Sequence, residues 1–150
     1  MLLIAWRRPH TTKQVLDAIR LVAPTRMFIA CDGANPDRAG EAEQVAATRE
    51  LIAQEIDWPC SVATLYAQRN VGCRQGVSQA ISWFFEQVEE GIILEDDCVP
   101  HPDFFAYCAE LLERYRDDKR VFSICGSNFQ LGNQRGEASY SFSIHGDSWG

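Results

Sequence analysis

The chain has 150 residues, of which 46% are hydrophobic and 23% charged, and its formal net charge is −7. This length and composition suit one folded domain with its own core and argue against a disordered chain. The net negative charge argues against binding nucleic acid or an anionic membrane through charge alone. A phosphate-bearing ligand stays open, because a bound metal and a few local arginines can reverse the field at one site.

The sequence predicts no membrane-spanning segment and no disulfide framework. No stretch approaches the roughly 20 apolar residues that a membrane helix needs. The apolar residues 1–6 are too short for a signal-peptide core and lack a basic leader. The six cysteines include no Cys-x-x-Cys pair, and several fall in segments that resemble buried helix or strand. We therefore predict a cytoplasmic protein with reduced thiols.

The first half of the chain alternates short apolar runs with amphipathic segments. The apolar runs predict three buried strands, at residues 2–6, 27–31 and 61–67. Between the first two runs, a capping box at Thr11 and Gln14 predicts the start of a helix that closes at Pro24. Residues 41–56 predict a second helix.

The second half continues this alternation. A loop at residues 68–72 leads into the clearest helical stripe of the chain, which we assign to the core: Val77, Ala80, Ile81, Phe84, Phe85 and Val88. Residues 92–94 predict a strand buried on both faces. A helix then opens at Pro102, and its predicted buried face consists of Phe104, Cys108, Leu111, Leu112 and Tyr115.

The alternation ends after residue 121. Residues 121–125 and 139–144 predict two further strands, the second either antiparallel or at an edge of the sheet, joined by a polar loop over residues 126–136. Strands alternating with helices predict right-handed βαβ units. We therefore predict an α/β fold, a Rossmann-like, mainly parallel sheet flanked by helices, in a single domain over residues 1–150. Nothing beyond residue 144 is predicted to cover the sheet, so we expect the N-terminal part of a longer protein.

Three consecutive carboxylates, Glu95, Asp96 and Asp97, follow the strand at residues 92–94. Ligands of open α/β sheets bind outside the carboxyl ends of the strands. Three adjacent acids repel one another unless a cation lies among them, and carboxylate oxygens are the ligands that Mg²⁺ or Mn²⁺ prefers. A solvated acidic turn is the plain alternative. The buried strand directly before the acids favours the metal site.

Polar side chains suited to a nucleotide also follow the other three predicted strands. Arg7 and Arg8 offer planar donors to a base or a diphosphate. Asp32 can accept hydrogen bonds from a uracil N–H or a ribose hydroxyl. Asn70 and Arg74 flank the start of a helix, whose amino end favours an anion. Each signal also has a structural explanation: Arg7 and Arg8 as solvated arginines, Asp32 as a turn aspartate and Asn70 as a helix cap. The recurrence of such residues after successive strands favours a nucleotide site.

This order of motifs resembles the nucleotide-diphospho-sugar transferases, which are glycosyltransferases of the GT-A fold. The motifs are Arg-Arg-Pro after the first strand, Asp32-Gly33, Arg69-Asn70-Val71-Gly72, Glu95-Asp96-Asp97 and Pro102-Asp103-Phe104-Phe105. The sequence is most similar to the branch with a Glu-Asp-Asp metal motif, which includes protein-linked N-acetylglucosaminyltransferases and related bacterial sugar transferases. The resemblance covers roughly residues 2–130.

The resemblance implies a role for each acid of the triplet and for the loop residues. Asp97 would bind the metal, while Asp96 and Glu95 would face the donor's ribose or sugar, or the metal's waters. Arg8 and Asp32 would hold the uridine, with Arg7 as a weaker substitute for Arg8.

The resemblance also implies that Asn70 and Arg74 line the nucleotide pocket. In inverting members of the family a carboxylate base follows the donor domain. Asp147 is the only acid near the end of this chain, and it is a weak candidate for that base.

The activity implied is metal-dependent transfer of a sugar from a UDP-sugar donor to a sugar, lipid or protein acceptor, with Mn²⁺ or Mg²⁺ as cofactor. One alternative is a sugar-phosphate nucleotidyltransferase, which usually carries a glycine-rich loop after the first strand; residues 7–10 contain no glycine. The other is a non-catalytic nucleotide-sugar binding module or fragment, which stays open because no acceptor-binding half is seen.

Overall fold

The computed structural model describes residues 1–127 and 137–144. Over residues 1–115 strands and helices alternate as predicted, and each strand end lies within one residue of its expected position. The elements are β1 Leu2–Ala5, α1 Pro9–Arg20, β2 Arg26–Cys31, α2 Glu41–Glu55, β3 Ser61–Tyr66, α3 Cys73–Phe85, β4 Ile93–Glu95 and α4 Asp103–Tyr115.

The strands in the described residues form one parallel sheet in the order β3-β2-β1-β4. Their carboxyl ends therefore share one edge of the sheet, and the prediction of an α/β fold with a parallel sheet flanked by helices is confirmed. The chain first adds β2 and β3 on one side of β1, and α3 then carries it back to place β4 on the other side. The strand order thus reverses between β1 and β4.

Alternate residues of β1 divide between two cores because the strand is covered on both faces. Leu3 and Ala5 belong to the larger core, which α1, α2 and Phe105 of α4 complete. Leu2 belongs to the smaller core, which it shares with Phe28 of β2 and Phe84 of α3. The near-continuous apolar sequence of β1 follows from this double burial.

The start of α1 differs from the prediction. The helix begins at Pro9, and the capping box at Thr11 and Gln14 is wrong, because no side chain caps the first turn. Proline at the first helical position already has the required φ and needs no N–H partner. The Thr12 hydroxyl lies inside the helix and donates to the Arg8 carbonyl oxygen at 2.7 Å.

Only part of the predicted apolar stripe of α3 belongs to the core. Ala80 and Phe84 are buried, whereas Phe85 is 47% exposed and the other members are partly buried. The physical reason is that, among the described elements, α3 alone covers its face of the sheet. A helix packed on one side buries a narrower stripe than its sequence pattern suggests.

Two further burial predictions are corrected at β4 and α4. Leu94 is buried, but Ile92 and Ile93 are only partly buried, because β4 lies at an edge of the described sheet and has a neighbouring strand on one side only. In α4, Phe105 rather than Phe104 belongs to the buried face, together with Cys108 and Leu111.

The two strands predicted after α4 are wrong. Residues 121–125 and 139–144 have no regular secondary structure, and most of the predicted loop at 126–136 lies outside the described residues. Tyr140 and Phe142 instead pack against the ring of Tyr115 on α4, with centroids 6.2 and 5.5 Å apart. Alternation of polar and apolar residues does not make a strand unless a partner strand pairs with its backbone.

We expect adjacent phenylalanines of α3 to differ sharply in their contribution to stability. Phe84 is fully buried and contacts the ring of Phe28 at a centroid distance of 5.1 Å. Phe84→Ala should therefore lower the free energy of unfolding by about 3–5 kcal/mol, and Phe85→Ala by about 1 kcal/mol or less. Urea denaturation followed by circular dichroism measures both, and equal losses would contradict the packing described for α3.

Candidate nucleotide site at the carboxyl edge of the sheet

The structure brings together side chains that follow β1 and β4. The Arg8 guanidinium, just before α1, donates through Nη1 to Asp97 Oδ2 at 2.5 Å and through Nη2 to Asp96 Oδ1. Asp96 is buried, with 1% of its side chain exposed, whereas the side chains of Arg8 and Asp97 are 44% and 42% exposed. We call Arg8, Glu95, Asp96 and Asp97 the β1–β4 cluster.

The electrostatics of the β1–β4 cluster leave negative charge in excess, since one guanidinium faces three carboxylates. Burial raises the pKa of Asp96, although hydrogen bonds from the Trp6 N–H and Arg8 oppose it. Burial also raises the pKa of Glu95, and repulsion from Asp97 and Asp96 adds to it. For Arg8, burial favours a lower pKa. The hydrogen bonds to Asp96 and Asp97 and the attraction of their charges outweigh burial, so the pKa of Arg8 is raised. A further cation would be attracted here.

A second group of contacts joins the loops after β2 and β3. Asp32 Oδ1 accepts hydrogen bonds from the backbone N–H groups of Gly33 and Val71, at 2.7 and 3.0 Å, and Oδ2 accepts one from Gly72 at 3.0 Å. Asn70 Nδ2 donates to the Gly33 carbonyl oxygen at 3.1 Å. We call these residues the β2–β3 clasp. Asp32 and Asn70 therefore hold two loops together, and their roles toward a uridine stay predictions.

Trp6 connects the two groups, which the sequence reasoning did not foresee. Its backbone N–H donates to Asp96 Oδ2 at 2.7 Å, and its indole Nε1–H donates to the Gly33 carbonyl oxygen at 3.0 Å. The residue directly after β1 thus connects the buried carboxylate of Asp96, which follows β4, to the β2–β3 clasp. A tryptophan at the end of a buried strand was the available signal, since a buried indole N–H usually finds a partner.

Glu41 is a second residue that sequence reasoning missed. Its side chain is 1% exposed, and its carboxylate accepts from Arg7 Nη1 at 3.0 Å and from the Asn35 backbone N–H at 2.6 Å. The Arg7 guanidinium also lies over the Trp6 ring, 4.3 Å from its centroid. Arg7 and Arg8 therefore have different partners. The sequence shows Glu41 only as the first residue of a helix, where acids are ordinary.

Arg49 of α2 is a third such residue. Its Nη2 donates to three backbone carbonyl oxygens, those of Ala67 at 2.7 Å, Asp32 at 3.2 Å and Cys31 at 3.3 Å. Its guanidinium lies over the Tyr66 ring, 4.7 Å from the centroid. Carbonyl groups at the carboxyl ends of β2 and β3 and in the residues that follow them therefore accept hydrogen bonds from an arginine of the neighbouring helix. No local sequence signal separates this arginine from a solvated one.

The remaining predicted residues lie apart from these contacts. Arg74 is exposed and lines a cavity of about 460 Å³ at the start of α3, together with Gly72. That cavity is not lined by Arg8, Asp96 or Asp97. Asp147 lies outside the described residues.

The donor set of the β1–β4 cluster suits Mg²⁺ or Mn²⁺ in the chemistry of its atoms, which are carboxylate oxygens. Within residues 1–127 and 137–144, however, no group of three or more His, Cys, Asp or Glu side chains is arranged to enclose a metal ion. Mg²⁺ usually takes only one or two carboxylates from the protein and completes its shell with waters and substrate phosphates.

Comparisons of the chain with protein-family models, with curated proteins and with solved structures gave no match. None of the three shows a family. In the part of the chain that the structure describes, no helix is long and apolar enough to cross a membrane. All six cysteines are among the described residues, and none forms a disulfide there.

We expect Gly33 to be required by the β2–β3 clasp. A Cβ added to Gly33 would lie 2.4 Å from the carbonyl carbon of Arg69, which is backbone and cannot turn away. Gly33→Ala should therefore lower the free energy of unfolding by about 1–3 kcal/mol.

The control is Gly76→Ala in α3, where the nearest atom to the new Cβ is Val71 Cγ2 at 3.7 Å. That change should raise the free energy of unfolding by about 0.5–1 kcal/mol, because alanine favours a helix more than glycine does. Chemical denaturation of both variants measures the difference. Wild-type stability in Gly33→Ala would show that the loops can separate without cost.

Proposed function

We propose that this protein is a glycosyltransferase of the GT-A type, which binds a UDP-sugar with Mn²⁺ or Mg²⁺ and transfers the sugar to an acceptor hydroxyl. The observation that carries the proposal is the contact of Arg8, after β1, with Asp96 and Asp97, after β4. These two strands are the pair between which the strand order reverses. Open α/β sheets bind ligands in the crevice at that point.

Asp97 is the residue that would bind the cation directly. Glu95 and Asp96 would contribute negative charge beside it. Asp97 is half-exposed and can turn an oxygen toward a ligand, whereas Asp96 is buried and fixed by the Trp6 N–H. When bound with a diphosphate, a divalent cation supplies Lewis-acid stabilisation of the negative charge on the leaving group. The carboxylates orient that cation, and their excess negative charge favours its binding.

The arginine and the loops would supply the anion contacts. The Arg8 guanidinium is a planar fork that can donate two hydrogen bonds to phosphate oxygens. The amino end of α3, with Arg74 exposed beside it, favours an anion for the same electrostatic reason. The β2–β3 clasp would set the shape of the nucleoside side of the pocket, since Asp32 and Asn70 fix both loops at the sheet edge. No base for the acceptor hydroxyl is assigned.

Calorimetric titration of the protein with UDP, with and without Mn²⁺, is the direct test of the proposal. We expect UDP to bind measurably only when Mn²⁺ is present, and a UDP-sugar to be slowly hydrolysed under the same conditions. Metal-dependent binding without any turnover would favour the nucleotide-sugar binding module instead. UDP binding that is absent, or that is unaffected by the metal, would overturn the proposal.

Asp97→Ala should abolish metal-dependent UDP binding while the protein stays folded, because Asp97 is half-exposed and is not part of either core. The matched control is Asp17→Ala on α1, which removes the same charge from an exposed pair with Lys13. The control should bind UDP as the wild type does. Calorimetry and circular dichroism check both variants, and undiminished metal-dependent binding by Asp97→Ala would remove Asp97 from the site.

A further inference from the structure

The Arg8 guanidinium is bonded to carboxylate oxygens that a divalent cation at this site would use. Its two terminal nitrogens bridge two different carboxylates, with Nη1 against Asp97 and Nη2 against Asp96. A Mg²⁺ or Mn²⁺ ion that used the same oxygens would need the space that the guanidinium fills. Two cations so close together repel strongly. Arg8 in this position and a metal on both carboxylates therefore exclude each other.

We propose that Arg8 is an internal counter-cation, which competes with the metal for Asp96 and Asp97 until a nucleoside diphosphate draws it away. This inference rests on the proposed function, and it adds an ordered coupling between the metal and the nucleotide. The metal alone binds weakly because it must displace Arg8. The diphosphate offers the guanidinium other oxygen acceptors, and the freed carboxylates then hold the metal beside it.

The anchoring of Arg8 allows this exchange without movement of the backbone. Its carbonyl oxygen accepts hydrogen bonds from the Thr12 N–H at 3.0 Å and from the Thr12 hydroxyl at 2.7 Å, so the chain is fixed at the start of α1. Its side chain is 44% exposed and has rotatable bonds that can turn the guanidinium from the carboxylates toward solvent. Only the side chain has to move.

The two carboxylates are left in different states when Arg8 turns away. Asp96 keeps the Trp6 N–H at 2.7 Å, so its buried charge retains a partner. Asp97 is half-exposed, and among the described residues its remaining hydrogen bond is the weak one from the Cys98 thiol at 3.7 Å. Asp97 is therefore the carboxylate that becomes available to a metal. Arg7 cannot exchange in the same way, because buried Glu41 and the Trp6 ring hold its guanidinium.

This arrangement makes the metal and the nucleotide bind cooperatively. Each ligand favours the state in which Arg8 has left the carboxylates, and coupling between two ligands is reciprocal. Without the guanidinium, the metal would no longer have to displace a competitor. The nucleotide would at the same time lose a phosphate contact. Loss of Arg8 should therefore strengthen metal binding and weaken nucleotide binding, whereas damage to the fold would weaken both.

The test compares Arg8→Gln with Arg20→Gln, which removes the same charge at the other end of α1, roughly 18 Å away. Mn²⁺ binding is measured by calorimetry, first alone and then with saturating UDP. We expect UDP to raise the Mn²⁺ affinity of the wild type and of Arg20→Gln by roughly tenfold or more. Arg8→Gln should bind Mn²⁺ alone roughly tenfold more tightly than the wild type, and UDP should raise its Mn²⁺ affinity by a smaller factor than in the wild type, because only the direct contact between the metal and the diphosphate remains.

The outcomes separate this inference from the proposed function. If the wild type shows metal-dependent UDP binding but Arg8→Gln keeps wild-type Mn²⁺ affinity, or loses it, the inference is overturned and the proposed function stands. If the wild type shows no metal-dependent UDP binding, both are overturned. Circular dichroism checks the fold. If Arg8→Gln does not fold, Arg8→Lys is used in its place. Because lysine lacks the planar guanidinium, this variant should bind Mn²⁺ alone more tightly than the wild type, and UDP should raise its Mn²⁺ affinity less. Wild-type Mn²⁺ affinity together with a wild-type effect of UDP would overturn the inference.

Discussion

The carboxyl edge of the sheet depends on how the charge of Asp96 is balanced. A buried carboxylate is strongly unfavourable unless it is paired and hydrogen-bonded. Here the Trp6 N–H and the Arg8 guanidinium provide the two partners. Because Trp6 and Arg8 both follow β1, this requirement fixes the course of the chain between β1 and α1. The same two contacts join the end of β1 to the end of β4, where the strand order reverses.

A chain of hydrogen bonds extends this constraint across the sheet. The Trp6 indole N–H donates to the Gly33 carbonyl oxygen. The Asp32 carboxylate accepts from three backbone N–H groups, one in its own loop and two in the loop after β3. Arg49 donates to the carbonyl oxygens of Asp32 and Ala67, which follow β2 and β3. The loops at this edge are therefore held by specific polar contacts. Such a pre-arranged edge suits the binding of a polar ligand, because little ordering of the protein is left to be done when the ligand arrives.

Several features of the fold followed from local sequence alone. The apolar runs of β1 and β2 predicted strands covered on both faces, and the position of each later strand and helix followed from its spacing and from the prolines and glycines between elements. The predictions failed where the outcome depended on neighbours. Phe85 on α3 and Ile93 on β4 lie in sequence environments typical of a core. Neither is fully buried, because no further described element lies beside α3 or on the outer side of β4. The segment at 139–144 has strand-like alternation, yet it packs its aromatic rings on α4.

The alternation of strands and helices follows from the order of the residues. It is enough to predict that Arg8, Asp32, Asn70 and the three acids all leave one edge of a parallel sheet, because the carboxyl ends of parallel strands lie at the same edge. Which of these groups contact one another depends on the folded arrangement of the strands. Strand order places Arg8 against Asp96 and Asp97, while Asp32 binds loop amides. It also brings Trp6, Glu41 and Arg49 to partners that lie 18 to 90 residues away. Contacts of that kind depend on which strand lies beside which, and no local pattern contains that information.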